Sequence, residues 1–225
     1  MKRDLFFTKQ VDQDSISELS ESILGIQKND EYLKQFYNLF GLIYNPQPIN
    51  IYIDSYGGMV YQCFGLLSIM RESTTPIHTI VTGTAMSCGF LIAISGHLRS
   101  CYADSTYMYH QVSTGVIGTL KEVESEYIEA SRLQTKIEEI TMRQTKLTPD
   151  KLNEIYDTRH DFFISAGDAV TFGCVDKVIG TIQETLVGRS HKIKERAKKT
   201  VPTPEPVKKQ VRTKKKSTPK LLTEE

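Results

Sequence analysis

Apolar residues recur at two spacings around position 60, and each spacing predicts a different element. In "INIYIDS", Ile49, Ile51 and Ile53 alternate with polar or amphipathic residues, which predicts a strand. Residues 60–70 then carry apolar side chains at steps of three and four, which predicts a helix. The run "IHTIVTG" predicts a second strand. Strand, helix and strand in this order indicate a right-handed βαβ crossover and a parallel sheet, so the fold class is α/β.

The segments on either side extend this pattern. Before the first strand, Asp14–Leu24 and Glu31–Phe40 predict two helices, with Asp12 or Asp14 as the cap of the first. After the second strand, "GFLIAIS" predicts a buried helix. Thr106–Tyr109 predicts a third strand that ends on a histidine.

The longest periodic segment covers residues 119–146. Its apolar positions form one narrow seam between charged faces: Leu120, Val123, Tyr127, Ala130, Leu133, Ile137 and Ile140. A helix of this kind usually packs on another helix, often from a partner subunit. Thr148 followed by proline predicts the start of a further helix, and Ser165 with Asp168 predicts the cap of the next one.

Charge divides the chain in two. The formal net charge of the 225 residues is +1, but residues 189–225 hold 13 basic and 4 acidic side chains, a net of +9, so the remainder carries −8. This stretch also contains four of the eight prolines, which predicts a disordered basic tail after a domain at 1–188. The tail has no interleaved aromatic residues, which makes nucleic acid an unlikely partner.

Other composition signals point to a cytoplasmic protein. The start of the chain lacks the apolar run of a signal peptide, and no segment is apolar for the roughly 20 residues that a membrane helix needs. The four cysteines are widely spaced and form no CxxC pair, which predicts buried free thiols rather than disulfides.

Three predicted strand ends carry groups with reactive chemistry. The first strand is followed by Gly57 and Gly58, the second by Ser87 and the third by His110. Strand carboxyl ends gather at one edge of a parallel sheet, so a backbone donor, a hydroxyl and an imidazole are expected to meet there. Taken alone, each group has a simpler explanation: a plain turn, a helix cap and a surface histidine.

Four sequence blocks resemble the proteolytic subunits of Clp protease, the ClpP-type serine peptidases. They read "IYIDSYGGMV", "TGTAMSCGFLIAISG", "STYMYHQ" and "DTRHDFFISAGDAVTFGCVDKVIG", in the order that the family shows, and the likeness runs from about Arg3 to Gly180. The resemblance implies a ClpP/crotonase-like fold of repeated βαβ units, with the helix at 119–146 as a protruding handle between rings.

By position, the resemblance implies a role for five residues. Ser87 matches the nucleophile, His110 the general base, and Asp161 the carboxylate that orients the histidine. The backbone N–H groups of Gly58 and Cys88 match the oxyanion donors, and the Cys88 thiol is expected to serve packing. No metal or cofactor is expected, and ATP enters only through a partner ATPase.

The chain departs from the family pattern at several points. Tyr56 and Val112 stand where the family has prolines beside the substrate cleft, so altered cleavage specificity is expected. His160 replaces an arginine, so weaker or pH-sensitive joining of the rings is expected. The chain opens at "KRDLFF", which matches the family's first core strand, so the axial-pore segment is expected to be missing and pairing with an AAA+ unfoldase stays open.

The leading hypothesis is a serine endopeptidase that assembles into stacked homo-oligomeric rings and cleaves peptides or unfolded proteins inside a chamber. One alternative is a phage capsid-maturation protease on the same fold. Another is a catalytically silent structural subunit of a mixed ring, although such subunits lose triad residues. A crotonase-like acyl-CoA enzyme is a third, and the pairing of Ser87 with His110 argues against it.

Overall fold

The protein is described by a computed structural model that covers residues 2–158 and 160–180. The boundary proposed at 188 and the basic tail lie outside these residues. The elements follow the chain in this order: β1 (Asp4–Phe7), α1 (Gln13–Leu39), β2 (Ile49–Ser55), α2 (Val60–Arg71), β3 (Ile77–Met86), α3 (Cys88–Ile94), β4 (Leu98–Tyr102), β5 (Thr106–Tyr109), α4 (Leu120–Gln144), α5 (Pro149–Thr158), β6 (Phe162–Ser165), α6 (Ala166–Thr171) and β7 (Lys177–Ile179).

The sheet has seven strands and is mostly parallel, as predicted for an α/β fold. Its main path runs β1-β2-β3-β4-β7, and every pair on it is parallel. β3 pairs with β4 through residues 78–81 and with β5 through residues 84–86. β6 is antiparallel to β5 and was not predicted. The long β3 therefore carries β5 and β6 away from the main path.

Alternation in β2 and uniform burial in α3 explain how these elements form the core. Ile49, Ile51 and Ile53 have no exposed surface, while Asn50 and Tyr52 between them are partly exposed. All seven residues of α3 are buried. These two patterns match the sequence prediction of a half-buried strand and a buried helix.

The prediction of two helices before β2 is wrong, because α1 is one helix of 27 residues. Asp12 is its cap and accepts a hydrogen bond of 2.8 Å from the Ser15 N–H. Gly25, which weakens a helix by about 1 kcal/mol relative to alanine, lies between the two predicted segments. Ile26, next to the glycine, is buried in the core, and the Asp30 carboxylate one turn later accepts a hydrogen bond from the Thr75 hydroxyl. These tertiary contacts keep the helix continuous through Gly25.

The prediction for α4 is confirmed in its bounds and only partly in its packing. Thr119 caps the helix in a capping box with Glu122. In the second half of the helix, Leu133, Ile137 and Ile140 are buried against this chain's own core. The first half leaves its apolar residues exposed: Leu120, Val123, Tyr127 and Ile128.

Several smaller expectations have clear outcomes. Leu98–Tyr102 forms a strand that the sequence analysis missed. Ser165 caps α6, as predicted, and its hydroxyl accepts the Asp168 N–H. All four cysteines are free and buried, as predicted. Over residues 2–158 and 160–180, no helix is long and apolar enough to cross a membrane.

Candidate active site

Ser87 occupies a tight turn between β3 and α3. Its φ of 53° is the only positive φ of a residue other than glycine in the described part of the chain. A side chain in this region typically costs about 1–3 kcal/mol, and such strain gathers at functional sites. The turn is held on both sides: the Ser87 N–H donates to the Met108 carbonyl at 2.9 Å, and the Ser87 carbonyl accepts the Leu91 N–H at 3.2 Å.

The strand register explains why His110 lies beside Ser87. Met86 of β3 is paired with Met108 of β5, so the next residues along the two parallel strands also run side by side. His110 follows directly after β5 and turns its ring back to the serine. Its Nε2 atom is 2.9 Å from Ser87 Oγ, a normal hydrogen-bond distance.

A second register brings Asp161 to the other side of the imidazole. β6 runs antiparallel to β5 with Tyr109 opposite Phe162, so the adjacent positions are His110 and Asp161. The distance from His110 Nδ1 to Asp161 Oδ1 is 3.5 Å, longer than a well-formed N–H···O bond. The three side chains thus form a chain from hydroxyl to imidazole to carboxylate.

Gly57 and Gly58 close β2 next to this serine. Their φ angles are 94° and 148°, which residues with a side chain rarely adopt. A Cβ atom on Gly57 would lie 2.8 Å from Ser87 Cβ, and one on Gly58 would lie 2.3 Å from the Val11 carbonyl oxygen. Only glycine therefore lets this turn approach the serine and the segment before α1 so closely.

The N–H groups of Gly58 and Cys88 are available at this turn. Val11 bridges the glycine turn by donating to the Gly57 carbonyl at 2.8 Å and accepting the Met59 N–H at 2.7 Å, which does not use the Gly58 N–H. Cys88 is the first residue of α3, so its N–H has no acceptor within the helix. Both residues line the same cavity as Ser87 and His110.

The Cys88 thiol lies next to the Ser87 side chain and the backbone of Gly58. It is almost fully buried, and its Sγ donates to the Gly58 carbonyl at 3.2 Å. The Cys63 thiol in turn donates to the Cys88 carbonyl at 3.6 Å. A hydrogen bond between the Cys63 and Cys88 thiols, together with burial, raises the pKa of Cys63, and the same bond lowers the pKa of Cys88. The burial of both thiols agrees with the prediction of buried free cysteines. The packing role of the Cys88 thiol stays a prediction.

Two cavities lie on either side of the His110 segment. One, of about 220 Å³, lies on the serine side, and apolar side chains form most of its wall: Val60, Leu91, Met108, Val112 and Ile137. The other, of about 420 Å³, contains His160 and Asp161. The first can accept an apolar side chain next to Ser87, and the second leaves the carboxylate open to solvent.

Sequence reasoning missed three contributors to this region. Ser55 donates to the Lys9 carbonyl at 2.6 Å and accepts the Gly57 N–H at 3.2 Å, so it holds the glycine turn. Ile137 was predicted to face a partner helix but lines the cavity beside Ser87. Gln134 contacts the segment after His110. Periodicity marked Ile137 as apolar, but no local signal identifies its neighbours.

No metal site is evident in the part of the chain described. None of its His, Cys, Asp and Glu side chains form a group of three or more that could hold a metal ion. The expectation of a metal-free site stays a prediction.

Comparison with known proteins gives a consistent result. The profile of the Clp protease family matches residues 1–182. The ATP-dependent Clp protease proteolytic subunit of Deinococcus radiodurans is 33% identical over 147 residues, which cover 64% of this chain and 71% of that protein. The ATP-dependent Clp protease proteolytic subunit 1 of Salinibacter ruber is 33% identical over 135 residues, 59% of this chain and 57% of that protein. With four-fifths of its length matched, the chain belongs to the Clp protease family.

Proposed function

We propose that the protein is a serine endopeptidase in which Ser87 is the nucleophile, His110 the general base and Asp161 the residue that orients the histidine. The observation that carries this proposal is the 2.9 Å contact between Ser87 Oγ and His110 Nε2, with the carboxylate at the other ring nitrogen. A nucleophile, its base and an orienting group in this order are what acyl transfer requires.

In the proposed reaction, Ser87 Oγ attacks the carbonyl carbon of a peptide bond while its proton passes to His110 Nε2. The oxygen of the tetrahedral intermediate accepts hydrogen bonds from the N–H groups of Gly58 and Cys88. His110 then gives the proton to the leaving amine, and an acyl-enzyme forms on Ser87. Water, activated by His110, hydrolyses this ester and frees the serine.

The proposal includes a substrate class. Peptides and unfolded proteins expose the backbone that this cleft would bind, and a folded domain does not. The apolar wall of the 220 Å³ cavity favours a substrate with an apolar side chain beside the scissile bond. Each step draws on groups of this chain and water, so we propose that hydrolysis itself uses no metal or cofactor.

We further propose assembly into stacked homo-oligomeric rings. The exposed apolar residues of the first half of α4 support this, because such a stripe on a long helix is expected to be covered by another subunit. The relatives are named as proteolytic subunits of an ATP-dependent protease, which supports a Clp ATPase as partner. Cytoplasmic location remains part of the proposal.

Labelling with a serine-directed fluorophosphonate tests this function. We expect wild type and Cys88→Ala to be labelled and Ser87→Ala to stay unlabelled, with hydrolysis of a fluorogenic peptide following the same pattern. Labelling that persists in Ser87→Ala, or none in any variant, would contradict the proposal. Complete absence of labelling would instead favour the silent ring subunit.

The capsid-maturation alternative uses the same chemistry on a different substrate. Cleavage of the chain within its own basic tail, lost in Ser87→Ala, would favour it over a protease fed by an unfoldase. Peptide hydrolysis without self-cleavage would favour the leading proposal.

A further inference from the structure

The segment that follows His110 has no regular structure of its own. Residues 110–119 lie between β5 and α4 without forming a helix or strand, yet they contain the imidazole and much of the wall of both cavities. Their position must therefore be set by contacts with neighbouring elements.

Two acceptor side chains of α4 contact this segment. Gln134 Oε1 accepts the Val112 N–H at 2.8 Å, and Glu126 Oε1 accepts the Thr114 hydroxyl at 2.6 Å. The contact with Gln134 is the closer of the two to His110 in sequence, and it binds the backbone itself. Val112 is also half-buried against the core, so its N–H is shielded from water.

The amide of Gln134 is itself fixed. Its Nε2 atom donates to Glu138 Oε1 at 2.6 Å, one turn further along α4. This bond leaves the amide oxygen facing Val112. The chain of contacts therefore runs from Glu138 through Gln134 to the backbone two residues after the imidazole.

The donor depends on the residue at position 112. Proline has no N–H, so a proline there could not make this contact. Val112 stands where the family pattern has proline, so the contact with Gln134 is available to this chain because of that departure.

We infer that Gln134 is a positioning residue for His110 and for the adjoining wall of the cavity beside Ser87. It acts through the Val112 N–H and does not itself touch the reacting atoms. This inference rests on the proposed peptidase function and deepens it. In addition to the proposed contact with another subunit, α4 would position the catalytic segment of its own subunit.

The primary test compares Gln134→Met with wild type. Methionine has a similar length and lacks the acceptor, so packing is kept while the hydrogen bond is lost. We expect kcat/KM for a fluorogenic peptide to fall about 10-fold, and the rate of Ser87 labelling to fall in parallel. The native mass should stay as in wild type, and the melting temperature should fall by only a few degrees because the Val112 N–H loses its acceptor. A merely structural role would lower the melting temperature in the same way but leave kcat/KM of the folded protein unchanged.

A paired exchange provides the rescue. In the double variant Gln134→Glu with Glu138→Gln, the new carboxylate accepts both the Val112 N–H and the amide introduced at 138. We expect this variant to return to within about threefold of wild type, since both hydrogen bonds are restored. Thr135→Ala is the matched control on the same helix, because its exposed hydroxyl donates only to the Ser131 carbonyl.

The outcomes separate this inference from the function on which it rests. A folded Gln134→Met with wild-type kinetics would overturn the inference while leaving the peptidase intact. A double variant that folds but stays about 10-fold slower than wild type would also overturn it, whether or not Gln134→Met folds. A wild type that never labels at Ser87 removes the function and the inference together.

Discussion

Two polar clusters in this molecule use similar side chains in opposite ways. The first, here the anchor cluster, consists of Arg3, Asp30, Tyr44 and Thr75. The Asp30 side chain is 5% exposed and accepts hydrogen bonds from all three partners, at 2.8 Å from both hydroxyls. Arg3 also donates to a loop carbonyl, that of Gln47, at 2.8 Å. Each oxygen of this buried carboxylate accepts one hydrogen bond from Arg3 and one from a hydroxyl group.

The second cluster is the candidate triad of Ser87, His110 and Asp161. Here the side chains of the histidine and the aspartate are 31% and 53% exposed, and the carboxylate makes one long contact of 3.5 Å. A cavity lies on each side of the imidazole. This cluster is open, and its groups keep spare capacity for hydrogen bonds.

The contrast between the two clusters indicates that stability and chemistry depend on different residues of this subunit. A closed and fully bonded cluster holds distant segments together, and the anchor cluster joins β1, α1 and the loops before β2 and β3. An open cluster has free positions for a substrate and a moving proton. We therefore expect substitutions to affect stability in one cluster and activity in the other.

The largest effect is expected from Ser87→Ala. Without the proposed nucleophile, kcat should fall by about 10⁵- to 10⁶-fold, as it does in serine peptidases, while the free energy of unfolding changes little. Peptide hydrolysis and urea unfolding measured on the same preparation check both parts. Adding His110→Ala should cost little more, since the two groups act as a unit, and an additive loss would argue against a shared mechanism.

The next largest effect is expected from Asp30→Ala, and it concerns stability. Removing one partner of a buried ion pair typically costs about 3–5 kcal/mol. Urea unfolding should show this loss, while the fraction of folded protein that labels at Ser87 stays unchanged. If folded Asp30→Ala labels far more slowly than wild type, the two clusters are not separate.

A smaller loss is expected from Asp161→Asn. The exposed carboxylate is screened by water and lies 3.5 Å from the imidazole, so kcat/KM should fall by less than the roughly 10⁴-fold that follows the same change at a buried triad aspartate. The free energy of unfolding should stay within about 0.5 kcal/mol of wild type. A loss as large as that of Ser87→Ala would mean that the carboxylate is more closely engaged during the reaction.

The pH dependence of stability should also separate the clusters. Burial alone would raise the pKa of Asp30, but hydrogen bonds from Arg3, Tyr44 and Thr75 outweigh it and hold this pKa below its usual value. In the unfolded chain an aspartate takes up its proton near pH 3.9. The stabilisation is therefore present above about pH 4 and is lost as the pH falls through the lower pKa of the folded state.

Asp30→Asn tests this linkage, because it removes the titrating group and keeps the shape of the side chain. Below about pH 4, its free energy of unfolding should fall less steeply with acid than that of wild type. Thr135→Ala, which removes an exposed hydroxyl and no titrating group, is the control and should follow the wild-type curve. Parallel curves for wild type and Asp30→Asn would exclude the anchor cluster as a source of acid sensitivity.

The smallest effect is expected from Cys88→Ala. The thiol is buried, donates to the Gly58 carbonyl and has no step in the proposed reaction, so activity should stay within about threefold while the free energy of unfolding falls by about 1 kcal/mol. Labelling kinetics and urea unfolding measure these two quantities. Complete loss of labelling with normal stability would give this thiol a direct part in the chemistry.

The sequence predicted the local elements well where one pattern acted alone. Alternation marked β2, and the long periodic segment marked α4 with its cap at Thr119. It failed where tertiary contacts overrode a local signal, as at Gly25, where Ile26 and Asp30 keep α1 continuous. It also failed for β4 and β6, because short strands have too few residues to show a clear period.

The amino-acid sequence is enough to predict which chemical groups stand at the ends of the strands, because hydrophobic periodicity and turn residues are local properties of the chain. How those groups meet depends on the pairing of strands in the folded protein. The parallel register of Met86 with Met108 brings His110 to Ser87, and the antiparallel register of Tyr109 with Phe162 brings Asp161 to His110. Register between distant strands is set by packing across the whole sheet, so no single segment encodes it.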